Sequence, residues 1–301
     1  YWSSDELADD LQTEFGPGFM IIRLPRYLII TNAGREYALW CGKLLNRLQT
    51  AFYASWKRDQ LELTPPPQAL VAVIFATPEE YAAYATADAG AALAGTQGYY
   101  SVRMNRIVLT DLSRTGGASA RTEGEIQRRL EGRITNLVTV VHEATHQLAF
   151  NSGLQTRYAD NPMWVSEGLA MYCEAPDLKS TTGWRTIGKL HPGRLQQFQE
   201  YARSRRQPGA LRTLLASEDR FRDPDTMADA YAESWALTYF LLKERRPQFI
   251  GYLQRLAAKP QLIWDTPEQR LLDFQSAFET DLNQLEQEFL KFTARLRATG
   301  G

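Results

Sequence analysis

The stretch Val140-Val141-His142-Glu143-Ala144-Thr145-His146-Gln147-Leu148-Ala149-Phe150 decides how the rest of the chain is read. His142 and His146 are four residues apart, so on a helix both imidazoles leave the same face one turn apart. The flanking residues are apolar, and burying His, Glu and His together without partners is costly. Two imidazoles at this spacing chelate one metal ion, and zinc favours such nitrogen ligands in a tetrahedral site. Glu143, beside the first histidine, is placed to reach a water on the metal rather than the metal itself.

Working outward, the helix should be long. Thr122 with Glu125 fits a capping box, and Ile126, Leu130, Ile134, Leu137, Val138, Val141 and Leu148 run as an apolar stripe to Gly153, a helix terminator. Pro162 opens a shorter helix that should stop before Pro176. Zinc needs at least one more protein ligand, and two residues are candidates. Glu167 lies on the short helix, 21 residues beyond His146, with Gly168 beside it to permit close helix approach. His191 lies in the loop Leu190-His191-Pro192-Gly193.

Upstream of Gly98 the pattern is mixed. Arg26–Thr31 and Leu70–Phe75 read as strands, Arg35–Lys57 as an amphipathic helix, and Thr77-Pro78-Glu79-Glu80 as a helix start. Gly98–Thr110 reads as a hairpin or a pair of short strands. Downstream, Asp177–Asp223 reads as loop-rich because of Gly183, Pro192 and Pro208. Helices are expected at Asp225–Arg246, Gln248–Ala258, Pro267–Phe278 and Asp281–Arg297. The fold class is therefore α+β: a small mixed sheet with helices, then a mainly helical part carrying the HExxH helix. The Gly-rich link around Arg114–Ala120 suggests a division into residues 1–118 and 119–301.

Composition narrows the function classes. The 301 residues suit one large domain or two closely packed ones. Thirty-four Lys and Arg nearly cancel 35 Asp and Glu, leaving a net charge of -1, which argues against duplex nucleic acid as a partner. No apolar run approaches the roughly 18 residues of a membrane-spanning helix. Cys41 and Cys173 read as two buried thiols, with a single bridge left open. No signal peptide stands in the chain, which begins at Tyr1. The compartment stays unassigned, with an exported one favoured.

The combination HEATH (142–146) followed by WVSEGLAMYCE (164–174) resembles the gluzincin zinc metallopeptidases, the thermolysin-like and aminopeptidase-N-like clan. In spacing and compactness it is most like uncharacterised bacterial minimal gluzincins. The resemblance is specific from Val140 to Glu174. It weakens in Tyr231-Ala232-Glu233-Ser234-Trp235 and in Ala277–Phe289, and is architectural before Gly98. It implies a zincin-like fold, one zinc ion on His142, His146 and Glu167, and Glu143 as general base. It also implies that Tyr231 donates a hydrogen bond to the oxyanion, with Tyr239 as the fallback.

Two departures shape the expectation. No Gly-x-Met-x-Asn-like segment with an acidic residue is found to anchor a substrate N-terminus. The nearest stretch, Tyr100–Asn105, is basic, so an endopeptidase is expected over an aminopeptidase. Met171 stands one turn after Glu167, where thermolysin-like relatives carry an Asp that supports a zinc-bound histidine; Glu174 or a backbone carbonyl is the substitute. The expected partner is a peptide or protein, held along the strand at Tyr99–Leu109 by β-augmentation. A catalytically silent binding or scaffold module and a zinc hydrolase of a non-peptide amide are the alternatives.

Overall fold

The structure, a computed structural model, describes residues 3–131, 134–175, 177 and 185–297. It is mixed α and β, organised as two units. The first comprises residues 1–55, 64–152 and 176–185, and the second 56–63, 153–175 and 186–301.

The first unit holds α1 (Ser4–Phe15), β1 (Met20–Arg23), β2 (Tyr27–Thr31), most of α2 (Arg35–Arg58), β3 (Leu70–Phe75), α3 (Pro78–Ala89), β4 (Gly98–Ser101), β5 (Arg106–Thr110), α4 (Glu123–Glu131) and α5 (Ile134–Asn151). The strands form one sheet in the order β1-β2-β3-β5-β4. β2, β3 and β5 run parallel, while β1 and β4 are antiparallel edges. All residues of β2, β3 and β5 are buried, as parallel strands covered on both faces require. Side chains alternate between the faces. Leu28, Ile30, Val71, Val73, Phe75, Tyr99 and Val108 pack with Ala8 and Leu11 of α1 and Tyr81 and Ala85 of α3. The alternation puts Tyr100, next to Tyr99, on the opposite face. There its ring stacks on Phe150 of α5, with centroids 5.8 Å apart and planes 16° from parallel.

Within α5, Leu137, Val140, Val141, Ala144 and Leu148 are fully buried. The apolar stripe expected from Ile126 to Leu148 runs through α4 and α5, which flank residues 132–133, outside the described residues. The capping residue Thr122 accepts from the Glu125 N–H, but the Glu125 carboxylate bonds the N–H of Arg121, outside the expected box. The side chain of Ile134, together with Pro176 and Gly183, lies outside the described residues.

The second unit is helical: α6 (Met163–Cys173), α7 (Pro192–Ser204), α8 (Ala210–Ala216), α9 (Asp219–Arg222), α10 (Met227–Glu244), α11 (Arg246–Ala257), α12 (Pro267–Phe278) and α13 (Leu282–Arg295). Its core is aromatic. Trp164 of α6 packs against Phe249, Tyr252 and Phe274 with ring centroids 5.8–6.2 Å apart. The fully buried Glu233 of α10 is held by Arg206 at 2.7 Å and Arg220 at 2.8 Å, so its charge is compensated twice.

The loop-rich reading of Asp177–Asp223 is corrected here, because α7, α8 and α9 occupy much of it. Pro192 is the first residue of α7, where its missing N–H costs nothing, so a residue read as a breaker is a starter. Two elements escaped the sequence reading altogether, α1 and β1. Yet α1 carries a complete capping box, Ser3 with Glu6. Among the described residues, no helix is long and apolar enough to cross a membrane.

Candidate metal centre

HEATH sits in the middle of α5. Its polar members are fixed by their neighbours. Thr145 donates to the carbonyl of Val141 at 2.8 Å. Gln147, fully buried, donates to the carbonyls of Val71 at 3.0 Å and Asn105 at 3.3 Å, which ties the helix to β3 and to the β4–β5 turn. His142, Glu143 and His146 are half-buried on the remaining face.

The two imidazoles lie as the four-residue spacing demands. Their Nε2 atoms are 3.2 Å apart and their ring centroids 4.8 Å. Two nitrogens about 2.0–2.1 Å from one ion at a tetrahedral angle stand roughly 3.3 Å apart, so the pair fits zinc without rearrangement. Glu143 projects beside them, and its Oε2 accepts the backbone N–H of Tyr100 at 2.8 Å. Tyr100 belongs to edge strand β4, where alternate N–H groups point outward from the sheet. The edge expected to hold a substrate therefore has its donor at Tyr100 engaged by Glu143.

Glu167 stands in the second turn of α6, a helix whose Trp164, Val165, Leu169, Ala170 and Met171 are buried. Beside it Gly168 faces α10, and a β-carbon there would come within 2.8 Å of the Ser234 carbonyl oxygen. The close approach anticipated for Gly168 is thus to α10. His142, His146 and Glu167 form the group of candidate ligands among the described residues, their ligand atoms all within 4.8 Å of one another. Two nitrogens and one carboxylate oxygen are a donor set that suits zinc.

The second candidate for third ligand has another task. His191 caps α7, its Nδ1 accepting the N–H of Arg194 at 3.2 Å. Burial holds its pKa below the usual histidine value, against the pull of Glu174 4.0 Å away. Glu174 itself, 1% exposed, receives Nε and Nη2 of Arg194 at 2.8 and 3.3 Å. Met171, one turn after Glu167, is a buried core residue.

Tyr231 lies in the second turn of α10, half-buried, its ring edge-on to Phe221 at 5.4 Å. Tyr239, two turns on, is packed among Trp235, Tyr172 and Phe292, with the Lys243 ammonium over its ring. Burial raises the pKa of Tyr239. Cys41 and Cys173 are both buried, and no disulfide joins them. Asn105, Asn151 and Gln147 were not singled out from the sequence. The signal was there in outline, since Asn105 is the turn residue of the expected hairpin, and Asn favours such turns.

Residues 136–262 match a family described as a protein of unknown function, DUF1570. The matched span includes His142, Glu143, His146, Glu167 and Tyr231. No curated protein matches the chain.

Proposed function

We propose that the protein is a zinc-dependent metallopeptidase that hydrolyses peptide bonds. The observation that carries this reading is the grouping of His142, His146 and Glu167 with Glu143 next to the first of them. On this reading α5 is the active-site helix of a zincin-like fold, and the three grouped side chains hold the ion. Bound there, zinc supplies Lewis-acid chemistry, polarising a carbonyl and making a water acidic enough to lose a proton near pH 7.

The chain's own residues do the rest. Glu143 takes a proton from the attacking water on its carboxylate and returns it to the leaving amine nitrogen as the C–N bond breaks. Water's remaining O–H stays on the acyl carbon, so the products are a carboxylic acid and an amine. Tyr231 donates its hydroxyl proton in a hydrogen bond to the oxygen where negative charge develops. Endo-cleavage is favoured because the Tyr100–Asn105 stretch lacks an acid to anchor a substrate N-terminus. Its one charged residue, Arg103, is paired with Asp88 at 2.5 Å.

The test is a mixed peptide library incubated with zinc-loaded protein, read by mass spectrometry, with a chelated sample beside it. One zinc per chain and internal cleavage lost on chelation are the expected results. Stoichiometric zinc with no cleavage of any peptide would sink the peptidase reading.

A further inference from the structure

A set of contacts fastens the β4–β5 hairpin to α5, and together they do more than close a packing gap. At one end, the Tyr100 N–H meets Glu143 Oε2. Two turns further along α5, Asn105 and Asn151 exchange side-chain amide bonds, Asn105 donating at 2.9 Å and Asn151 at 2.7 Å. The Tyr100 hydroxyl donates to the same Asn105 oxygen at 2.8 Å, and its ring lies on Phe150 between the two ends. Asn105 adopts a left-handed backbone conformation, φ 54°, which Asn tolerates better than most residues. The turn is thus shaped to present its amide to Asn151.

A glutamate side chain has three rotatable bonds and needs an external constraint to hold its carboxylate in one place. A side-chain donor would itself be free to rotate, but a backbone N–H stands wherever its strand stands. The position of the Glu143 carboxylate is therefore set by where β4 lies against α5, which the amide pair fixes together with the Gln147 bond to the Asn105 carbonyl. We propose that Asn105 and Asn151 are positioning residues. Their paired amides lock the hairpin onto α5, and through the Tyr100 N–H they fix the carboxylate of Glu143. The proposal rests on the reading of Glu143 as general base, and its test separates the two ideas.

Asn105→Gly removes the amide while accepting the left-handed conformation without strain. It should lower kcat by about tenfold or more, since small misplacements of a reacting group are costly, with KM and zinc content unchanged. Asn105→Asp keeps the oxygen that accepts from Asn151 and Tyr100, and should recover much of the loss. Leu11→Ala, under α1 on the far face of the sheet, is the control for lost stability and should leave kcat unchanged while lowering Tm.

Amide hydrogen exchange at Tyr100 is read in parallel and needs no substrate. Glu143→Ala and Asn105→Gly should each speed it about tenfold or more, and Leu11→Ala should not. Wild-type kcat in Asn105→Gly, or an equal kcat loss in Leu11→Ala, would overturn the proposal. If the wild type cleaves no peptide, the peptidase reading fails by itself. The exchange experiment then decides the clamp, and unchanged exchange in Asn105→Gly refutes it.

Discussion

Gly168 has no room for a β-carbon beside Thr238: one placed on its backbone would overlap the Thr238 hydroxyl and stand 2.8 Å from the carbonyl oxygen of Ser234. Helices α6 and α10 cross there backbone to backbone, one residue from Glu167. Gly168→Ala must push them apart, and overpacking of this kind typically costs about 1–3 kcal/mol. Because Glu167 rides on the displaced turn, zinc affinity should fall together with stability. Urea denaturation of the apo protein measures the first effect and competition with a chromophoric chelator the second. Wild-type values in both would mean that the crossing relaxes without moving Glu167.

What the sequence disclosed follows from the physics of each element. Leu70–Phe75 was legible as a strand because a fully buried parallel strand is a continuous apolar run. Pro267–Phe278 was legible because Thr266 and Pro267 mark its start. The HEATH histidines were legible because their spacing is local, contained in one turn of one helix. Contacts made across the fold leave no such trace. Nothing near Glu143 announces that Tyr100, 43 residues earlier, donates to it. Pro208 lies in the turn before α8, whereas Pro192 starts α7, since proline starts a helix as readily as it stops one. Only the cap formed by His191 settles which applies at Pro192.

The separation of metal binding from proton transfer is tested by two substitutions at neighbouring functions. On the proposed reading Glu167→Ala removes a ligand and should deplete zinc, measured by elemental analysis after dialysis. Glu143→Gln keeps side-chain size and leaves the three ligands in place, so zinc should stay near one per chain. Hydrolysis should nevertheless fall by about 10²–10⁴-fold, the usual worth of a positioned base. Equal zinc loss in both variants would make Glu143 a ligand or a structural residue.

Cys41 offers a prediction about pH. The thiol is fully buried, and burial pushes its pKa up to about 12. The folded chain therefore keeps this proton over a range where the unfolded chain has lost it, from about pH 9 upward. Stability contributed by the neutral thiol is complete below pH 9 and falls between 9 and 12, by about 1.4 kcal/mol per pH unit for one such group. Cys41→Ala should flatten this part of an alkaline denaturation series, after allowance for the cavity it leaves. In the native wild type at pH 8, a thiol reagent should label Cys41 only as fast as the protein opens.

Tyr231 and Tyr239 differ in what their hydroxyls can be doing. Tyr239 has its ring enclosed by Trp235, Tyr172 and Phe292, a setting in which the ring supplies the packing. Tyr231 lies in the second turn of α10, half-buried, with Phe221 against its ring. Replacing either by Phe preserves the ring, so Tm should change little in both. If the Tyr231 hydroxyl donates to the developing oxyanion, Tyr231→Phe removes an interaction that strengthens in the transition state. A single donor of that kind has been worth roughly 10²–10³ in turnover. The expected outcome is a fall of that order in kcat, with KM and zinc content nearly unchanged, while Tyr239→Phe keeps wild-type rates. The reverse pattern would assign the oxyanion to Tyr239 and make Tyr231 a packing residue. Wild-type rates in both variants of an active enzyme would remove tyrosine from the mechanism and leave the charge to the metal.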